Sequence, residues 1–366
     1  MIDQSFDVAI IGGGAAGSAA ALSLLQAGME SVCIVERSNF SEQRIGETIP
    51  PDANDLLHKL GVQKAFAAQQ HLPCYGSHSL WGDRQLGHND FLVSPYGHGW
   101  HLDRASFDKM LLDQATSRGA TLIAGDCTSI DVKGDRVSRV KVEGDSTEGS
   151  RIEANWFIDA TGRGGLLTRA CGANRLFDDS LTVIWTRFRV ADRLLGNATW
   201  LEAAPYGWWY GAELPGGEAI IALGTDPHVA KSQGFYDLRA WVAALLDTDL
   251  IAPQIASAQI IPGSFRVTSS HSYITDKIAG ANWIGVGDAV SAFDPLSSAG
   301  IYKALSTGLR AADTIAHQGA TSVGAYQKYV KDTYREYLGV KADLYAAEGR
   351  WTDLPFWQKK SQLKTG

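Results

Sequence analysis

The feature that most limits the fold is a glycine-rich loop between an apolar strand and a helix of small residues. Residues 6–11 predict the strand. Gly12, Gly14 and Gly17 follow in GxGxxG spacing, and a helix rich in Ala and Leu runs to about Gly28. Gly12 permits a tight turn, Gly14 lets backbone approach a pyrophosphate, and Gly17 lets the helix pack closely on the strand. Because the helix N-terminus then faces the phosphates, the segment predicts a nucleotide-binding α/β unit.

An acidic residue stands where such a unit needs one. The second predicted strand ends in Glu36, which follows Gly17 by nineteen residues. A carboxylate there can accept hydrogen bonds from both ribose hydroxyls, and an acid rather than a base favours a ribose without a 2′-phosphate. We therefore predict FAD or NAD rather than NADP, whereas a ligand-free glycine turn would leave Glu36 without a role. The predicted contacts of this unit also include Ala15, Ala16 and Arg37.

A second loop follows much later, with the letters GDAVSAFDPLSSAG at residues 287–300. NAD enzymes need no such loop, whereas the ribityl chain and ring of FAD run away from the first loop and need their own support. A short buried strand at residues 283–286 would deliver Asp288 to a ribityl hydroxyl, and a helix from Gly300 would point its positive end at the flavin. Taken alone, Asp288 would be better interpreted as a helix cap or turn residue; the presence of the first loop is what favours the flavin interpretation. The contacts predicted for this loop are Asp288, Pro295, Ser298, Gly300 and Ile301.

Five segments in this order carry a family resemblance: GGGAAG, IGETIPP, HLDRASFDKMLLDQA, FIDATGR and GDAVSAFDPLSSAG. The chain resembles the FAD-dependent monooxygenases related to tryptophan halogenases, over most of its length and least from about 170 to 275. The resemblance implies an α/β fold with a Rossmann-like FAD-binding domain of the glutathione-reductase and p-hydroxybenzoate-hydroxylase type. A second, mainly antiparallel β domain would complete the fold and hold the substrate.

The same resemblance implies roles for single residues. Arg44 and Glu47 would lie beside the flavin, and Arg104 would approach the FAD phosphates. Arg44 is alternatively a solvated loop charge, Glu47 a helix cap, and Arg104 a first-turn residue behind a capping aspartate. The segment FIDATGR adds Ala160 and Gly162 as cofactor contacts.

The predicted elements divide the chain into discontinuous parts. We assign residues 1–75, 101–168 and 276–320 to the FAD-binding domain and residues 76–100 and 169–275 to the substrate domain. Residues 321–366 would form a C-terminal helical segment, followed from about residue 352 by a loose tail.

The segment GWWYGAELP bears on the chemistry. The related halogenases carry the form GWxWxIP and a catalytic lysine. Here Trp208 and Tyr210 fit, but the proline comes two residues late, and no lysine lies between Lys64 and Lys109. This favours direct oxygenation of an electron-rich ring over halogenation. Alternating side chains put Trp208 and Tyr210 on one face of a strand. The catalytic candidates are Glu47, Trp208 and His98. Alternatively, the Trp208 ring only packs in the interface between the two domains, and His98 is a turn residue.

A longer segment, residues 77–104, resembles a narrower group. These are the flavoprotein maturases that install cysteine tryptophylquinone in amino-acid oxidases of the lysine-oxidase and glycine-oxidase type. The resemblance implies hydroxylation of a tryptophan in a precursor oxidase, using O₂ and either transient NAD(P)H or an external reductase. Three alternatives stay open: a small-molecule aromatic hydroxylase, a flavin-dependent halogenase, and a non-catalytic flavoprotein that chaperones an immature oxidase.

The net charge, the length of the apolar runs and the spacing of the cysteines limit the partners and the compartment of the protein. A net charge of −7 disfavours nucleic acid and anionic membranes as main partners. No apolar run reaches the roughly 18 residues of a membrane span, and no basic leader precedes the first strand. The four cysteines form no CxxC pair and no metal-ligand spacing. We therefore expect a cytoplasmic protein with free thiols and no metal site.

Overall fold

The computed structural model describes residues 2–144, 147–190, 195–317 and 320–361. The strands in chain order are β1 Ile2–Ile11, β2 Val32–Glu36, β3 Thr48–Ile49, β4 Leu72–Cys74, β5 Gly76–Leu80, β6 Leu86–Asp90, β7 Gly99–His101, β8 Thr121–Ala124, β9 Asp126–Lys133, β10 Arg136–Gly144, β11 Thr147–Asp159, β12 Arg175–Phe177, β13 Thr182–Arg189, β14 Thr199–Ala204, β15 Gly207–Leu214, β16 Glu218–Thr225, β17 Gln259–Ile260, β18 Arg266–Ser269, β19 Tyr273–Thr275, β20 Trp283–Gly285 and β21 Ser291–Ala292. The α-helices are α1 Ala15–Gln26, α2 Ala53–Lys59, α3 Gln63–Ala67, α4 Arg104–Ser117, α5 Leu166–Ala170, α6 Pro227–Gln233, α7 Leu238–Leu246, α8 Gly300–Ala316, α9 Ala320–Ala346 and α10 Pro355–Ser361.

The first sheet has a parallel core that carries the glycine loop at its carboxyl edge. Its order is β8-β2-β1-β11-β10-β9, with β20 beside β11. The pairs among β8, β2, β1, β11 and β20 are parallel, whereas β9 and β10 run antiparallel. Ile10 of β1 lies between Ile34 of β2 and Ile158 of β11, and all three are fully buried. Burial on both faces explains the continuous apolar runs in these strands.

Small residues let two helices meet on this sheet. A Cβ on Gly308 of α8 would come within 2.4 Å of the Ala16 carbonyl oxygen of α1. The alanines of α1 are buried from Ala15 through Ala21. The first loop and the second loop therefore approach each other, because the helices that follow them are in backbone contact.

The second large sheet is mainly antiparallel. Its order is β17-β13-β16-β15-β14-β5-β6, with β18 also paired to β13. Only the β5–β14 pair is parallel among the pairs described in this sheet. The predicted fold class is confirmed: a Rossmann-like α/β part is joined to a mainly antiparallel β part. The division of the chain into a cofactor domain and a substrate domain remains our proposal.

The C-terminal segment differs from the expectation. The predicted helix is present as α9, but residues 355–361 form α10 rather than a loose tail. Phe356 and Trp357 are almost fully buried in one cluster with Trp208, which is why this segment is ordered. Residues 362–366 of the predicted tail lie outside the described residues. In the part of the chain that is described, no helix combines the length and apolar character that crossing a bilayer requires.

Candidate functional site

A cavity of about 580 Å³ lies between the carboxyl edge of the first sheet and one face of the second. The first wall comes from the loops that follow β1, β2, β11 and β20. The second wall comes from Val183, Trp208, Tyr210 and Ala222 on β13, β15 and β16. Carboxyl ends of parallel strands are where open α/β sheets bind ligands.

The three glycines of the first loop have three different surroundings. Gly12 has φ +107°, and a Cβ there would come within 2.4 Å of the Ala160 carbonyl oxygen. A Cβ on Gly17 would lie 1.9 Å from the Gly12 carbonyl oxygen, so Gly17 serves the close packing of α1 and does not line the cavity. A Cβ on Gly14 would meet no protein atom within 4 Å, and Gly14 does line the cavity. Space for a phosphate against the backbone is therefore present at Gly14.

Glu36 is held at the end of β2 with its carboxylate fixed. One carboxylate oxygen accepts the Gly13 N–H at 2.6 Å, and the other accepts the Ser38 N–H at 2.7 Å. Arg37 is largely exposed and lies 3.6 Å from Asp126. Both predicted residues border the cavity, as do the predicted contacts Ala15, Ala16, Ala160 and Gly162.

Asp288 in the second loop is paired with two cations. Its carboxylate lies 2.7 Å from Lys303 Nζ and 3.6 Å from Arg163 Nε. Burial alone would raise the pKa of Asp288, but the Lys303 and Arg163 charges lower it below its ordinary value. Sequence reasoning missed Lys303, which is only 2% exposed; its place one turn into α8 was the available signal. The other predicted contacts of this loop also line the cavity: Pro295, Ser298, Gly300 and Ile301.

Arg44 and Arg104 meet at one buried carboxylate. Arg44 Nη1 lies 3.1 Å and Arg104 Nη2 3.0 Å from Asp108 Oδ2, and Asp108 is fully buried. Arg104 Nη1 also donates to the carbonyl oxygens of Ile45 and Gly46, each at 3.0 Å. Arg104 therefore fixes the loop before β3, and its Nε has no hydrogen-bond partner among the described residues. Asp108 was not predicted, because only the folded chain shows that α4 turns it inward.

Glu47 is a buried carboxyl at the boundary of the two walls. It is 1% exposed, and its Oε2 accepts the Gly46 N–H at 2.8 Å. Its Oε1 has no hydrogen-bond partner among the described residues. Burial raises the pKa of Glu47 from 4.5 to about 7, although the Gly46 N–H and the charges of Arg104 and Arg187 oppose the rise. A carboxyl with this pKa can hold or accept a proton near neutral pH.

The two predicted aromatic residues of β15 share the cavity side of the strand. Trp208 and Tyr210 line the cavity, whereas Trp209 packs against Trp241 on the opposite side. The Tyr210 hydroxyl is 2.7 Å from the Thr48 hydroxyl. Trp208 is 2% exposed, and its Nε1 donates to the Tyr345 hydroxyl at 2.9 Å. Most of the Trp208 ring is therefore in the core, and only part of it faces the cavity.

Behind Trp208 lies a buried group of charges, here called the four-charge cluster: Asp179, Asp294, Lys341 and Lys360. Lys360 Nζ is 2.9 Å from Asp179 and 3.8 Å from Asp294, and Lys341 also pairs with Asp179. The Tyr345 hydroxyl donates to Asp294 Oδ2 at 2.7 Å. Asp294 lines the cavity, so the C-terminal helices hold part of its wall.

His98 is the one predicted catalytic residue that the structure does not bring to the cavity. Its Nδ1 is 2.8 Å from the Gly99 carbonyl oxygen, and its ring lies 4.4 Å from the Trp100 ring. Asn54 donates to the His98 carbonyl oxygen at 2.9 Å. The surroundings are those of a turn residue. No group of three or more potential metal ligands occurs among the described residues.

The cavity fits FAD. The open space at Gly14 suits a diphosphate, the fixed Glu36 carboxylate could accept ribose hydroxyls, and α8 begins at the cavity with Gly300, where an added Cβ would meet no atom within 4 Å. Glu47 and Arg104 line the cavity, and Glu47 Oε1 and Arg104 Nε are buried polar atoms with no partner among the described residues. These features agree with a long dinucleotide that extends from the first loop to the second.

A family described as FAD binding domain matches residues 5–317. The chain belongs to this family. LodB of Marinomonas mediterranea, provisionally described as an FAD-dependent oxidoreductase, is 31% identical over 360 residues. The match covers 98% of this chain and 97% of LodB.

Solved structures of similar proteins extend the comparison. The crystal structure of CmlS, a flavin-dependent halogenase, has a TM-score of 0.86 at 28% identity and covers 98% of this chain and 68% of CmlS. QhpG, a peptidyl tryptophan dihydroxylase essential for tryptophylquinone cofactor biogenesis, has a TM-score of 0.73 at 22% identity. That match covers 98% of this chain and 79% of QhpG, and at this identity it shows a shared fold.

These findings confirm the predicted family resemblance and the prediction of FAD as a cofactor. The protein is an FAD-dependent oxidoreductase, related to LodB and to the tryptophan-halogenase group. The individual site residues stay predictions, which the cavity geometry now makes specific.

Proposed function

We propose that the protein is an FAD-dependent monooxygenase that hydroxylates an indole ring. We further propose that this ring is a tryptophan side chain of a precursor oxidase during formation of cysteine tryptophylquinone. The observation that carries the proposal is Glu47, a buried carboxyl with a pKa of about 7 that lies where the first and second walls of the cavity meet. Such a group suits a reaction in which a ring gains oxygen and must lose a proton.

When bound and reduced, the flavin supplies electrons that turn O₂ into an oxygen donor for the ring. The residues of the chain would accept the proton and keep water away from the ring. Glu47 can hold the proton released from the indole, because its Oε1 has no other described partner. Val183 and Ala222 give the second wall an apolar surface that excludes water from the reacting ring.

Tyr210 and Trp208 offer aromatic faces for orienting an indole. Offset or edge-to-face aromatic pairs contribute about 0.5–1.5 kcal/mol beyond burial. The Tyr210 hydroxyl is already paired with Thr48, so the ring rather than the hydroxyl is the available surface.

Comparisons support the substrate part of this proposal. LodB matches nearly the whole chain, and QhpG, which shares the fold, is a dihydroxylase of peptidyl tryptophan. In the described part of the chain no lysine lines the cavity, whereas the resembled halogenases use a catalytic lysine. A precursor oxidase as partner, O₂ as co-substrate, NAD(P)H or a reductase as electron donor, and the cytoplasm as compartment all belong to this proposal.

Co-expression tests it directly. A lysine-oxidase-type or glycine-oxidase-type precursor is produced with the wild-type protein, with Glu47→Gln, or alone, and its intact mass and tryptic peptides are measured. A gain of one or two oxygens on a tryptophan peptide, dependent on the wild-type protein and reduced in Glu47→Gln, is the expected result.

Other outcomes identify the alternatives. A halogen mass on the peptide when bromide is supplied indicates a halogenase. An unchanged mass with improved solubility of the precursor indicates a chaperone. Oxygenation of free tryptophan or another small indole, with the precursor unmodified, indicates a small-molecule hydroxylase. Each of these three results contradicts the proposed function.

A further inference from the structure

A second concave surface adjoins the FAD cavity and has a different chemical character. It has a volume of about 410 Å³ and is lined by Arg163, Arg175, Phe177, Ser269, His271 and Tyr273. We call it the arginine groove. Arg163 lines both the groove and the FAD cavity, so a ligand in the groove would lie beside the flavin site.

The groove carries more positive than negative charge. Arg175 has no carboxylate partner among the described residues, and Arg163 has only Asp288 at 3.6 Å, which Lys303 already approaches to 2.7 Å. Among the described residues, the only carboxylate paired with the two arginines of the groove is therefore Asp288, which Arg163 shares with Lys303. An anion bound between the two arginines would balance this excess.

The two guanidinium groups are held in place and retain free donors. Arg175 donates to the Arg163 carbonyl oxygen, and its guanidinium lies 4.6 Å from the centre of the Tyr273 ring. Arg163 Nη1 donates to the His271 carbonyl oxygen at 2.9 Å. Arg175 Nη1 and Arg163 Nη2 have no partner among the described residues, and neither does the buried Nε of Arg175. Positioned guanidinium groups with free N–H bonds are suited to phosphate oxygens.

Aromatic surface lies beside these donors. Phe177 is 58% exposed, which is unusual for such a side chain, and its ring is 5.8 Å from His271 and 5.4 Å from Tyr273. An adenine or nicotinamide ring could stack on the exposed Phe177 face, since aromatic pairs prefer offset or edge contacts at these separations.

We propose that the arginine groove binds a dinucleotide by its diphosphate, and that the physiological ligand is the reduced nicotinamide dinucleotide that supplies electrons to the flavin. The diphosphate contacts Arg163 and Arg175, and one ring of the ligand lies on Phe177. This deepens the proposed function by naming the electron donor, but binding at the groove does not depend on which substrate is oxygenated.

The test measures binding rather than turnover. The FAD-saturated protein is titrated with NADH, with NADPH and with ADP, and affinity is followed by calorimetry and by ligand fluorescence. Arg175→Gln should weaken NADH binding about tenfold or more, since it removes charge-assisted hydrogen bonds. Phe177→Ala should weaken it several-fold. Arg169→Gln removes an exposed arginine on α5 that does not line the groove, and it should leave the affinity unchanged.

Controls keep the result decisive. FAD content and far-ultraviolet circular dichroism show whether each variant folds. If Arg175→Gln fails to fold, the NADH affinity of Phe177→Ala, a change at an exposed side chain, decides whether the groove is the binding site. ADP should compete with NADH, because it carries the shared diphosphate. The proposal is wrong if NADH binds Arg175→Gln or Phe177→Ala as it binds wild type, if no NADH binding is found at millimolar concentration, or if only a second molecule of FAD binds there.

Discussion

Replacing Glu47 by glutamine should make the FAD-free protein more stable at alkaline pH. Burial raises the pKa of Glu47 from 4.5 to about 7. Between these two values the unfolded chain has lost the proton while the folded chain still keeps it, so stability falls as pH rises through this window. At pH values above this window, the raised pKa has lowered the free energy of unfolding of the wild type by about 3 kcal/mol. Glutamine stays neutral, and its carboxamide oxygen can still accept the Gly46 N–H.

Urea unfolding at about pH 5 and about pH 8.5 measures the effect. From about pH 5 to about pH 8.5, the free energy of unfolding of Glu47→Gln should increase by about 2–3 kcal/mol relative to that of wild type. Glu153→Gln on β11 makes the same change at an exposed side chain and should shift stability by no more than about 0.5 kcal/mol at either pH. Equal pH dependence in wild type and Glu47→Gln would refute the raised pKa and, with it, the proton-holding role.

Four further variants address the cofactor site and the aromatic side of the cavity. Glu36→Ala should weaken FAD binding by about 1.5–3 kcal/mol in calorimetry, the range for losing charge-assisted hydrogen bonds, and unchanged affinity would contradict the ribose assignment. Gly14→Ala should keep the fold but lose FAD affinity in the same assay, whereas Gly12→Ala should fail to fold, because its Cβ meets backbone at 2.4 Å. Trp208→Phe removes the donor to Tyr345 and should cost about 1–3 kcal/mol of stability, measured by urea unfolding. It should also lower oxygenation several-fold with FAD content intact; normal turnover would remove Trp208 from the site.

The elements around the two loops could be predicted because their signals are local. Gly17 packs against the Gly12 carbonyl oxygen within the same turn, and the positive φ of Gly12 is required by that turn. The face shared by Trp208 and Tyr210 follows from strand alternation alone. In such places the sequence within about twenty residues contains the physical reason for the structure.

The pairings between charges could not be predicted, because they join distant segments. Arg44 and Asp108 are separated by 64 positions, and Lys360 and Asp179 by 181. No local pattern distinguishes a lysine that will be buried against a carboxylate from one that will face water. For the same reason the sequence of residues 355–361 predicts a loose tail. Its polar residues include Lys360, whose partner Asp179 lies 181 positions earlier in the chain.

The four-charge cluster also sets an order of assembly. During synthesis Asp179 and Asp294 leave the ribosome well before Lys341 and Lys360, so a nascent chain has both carboxylates before it has either counter-charge. Burying such carboxylates unpaired is strongly unfavourable: Asp179 gains Lys341 with α9, but Asp294 gains Lys360 only with α10, so we expect the cavity wall at Asp294 to be fully stable only after α10 has docked. We therefore expect tight FAD binding only once the C-terminal residues are in place, although the glycine loop predicted to bind the cofactor is among the earliest residues to emerge.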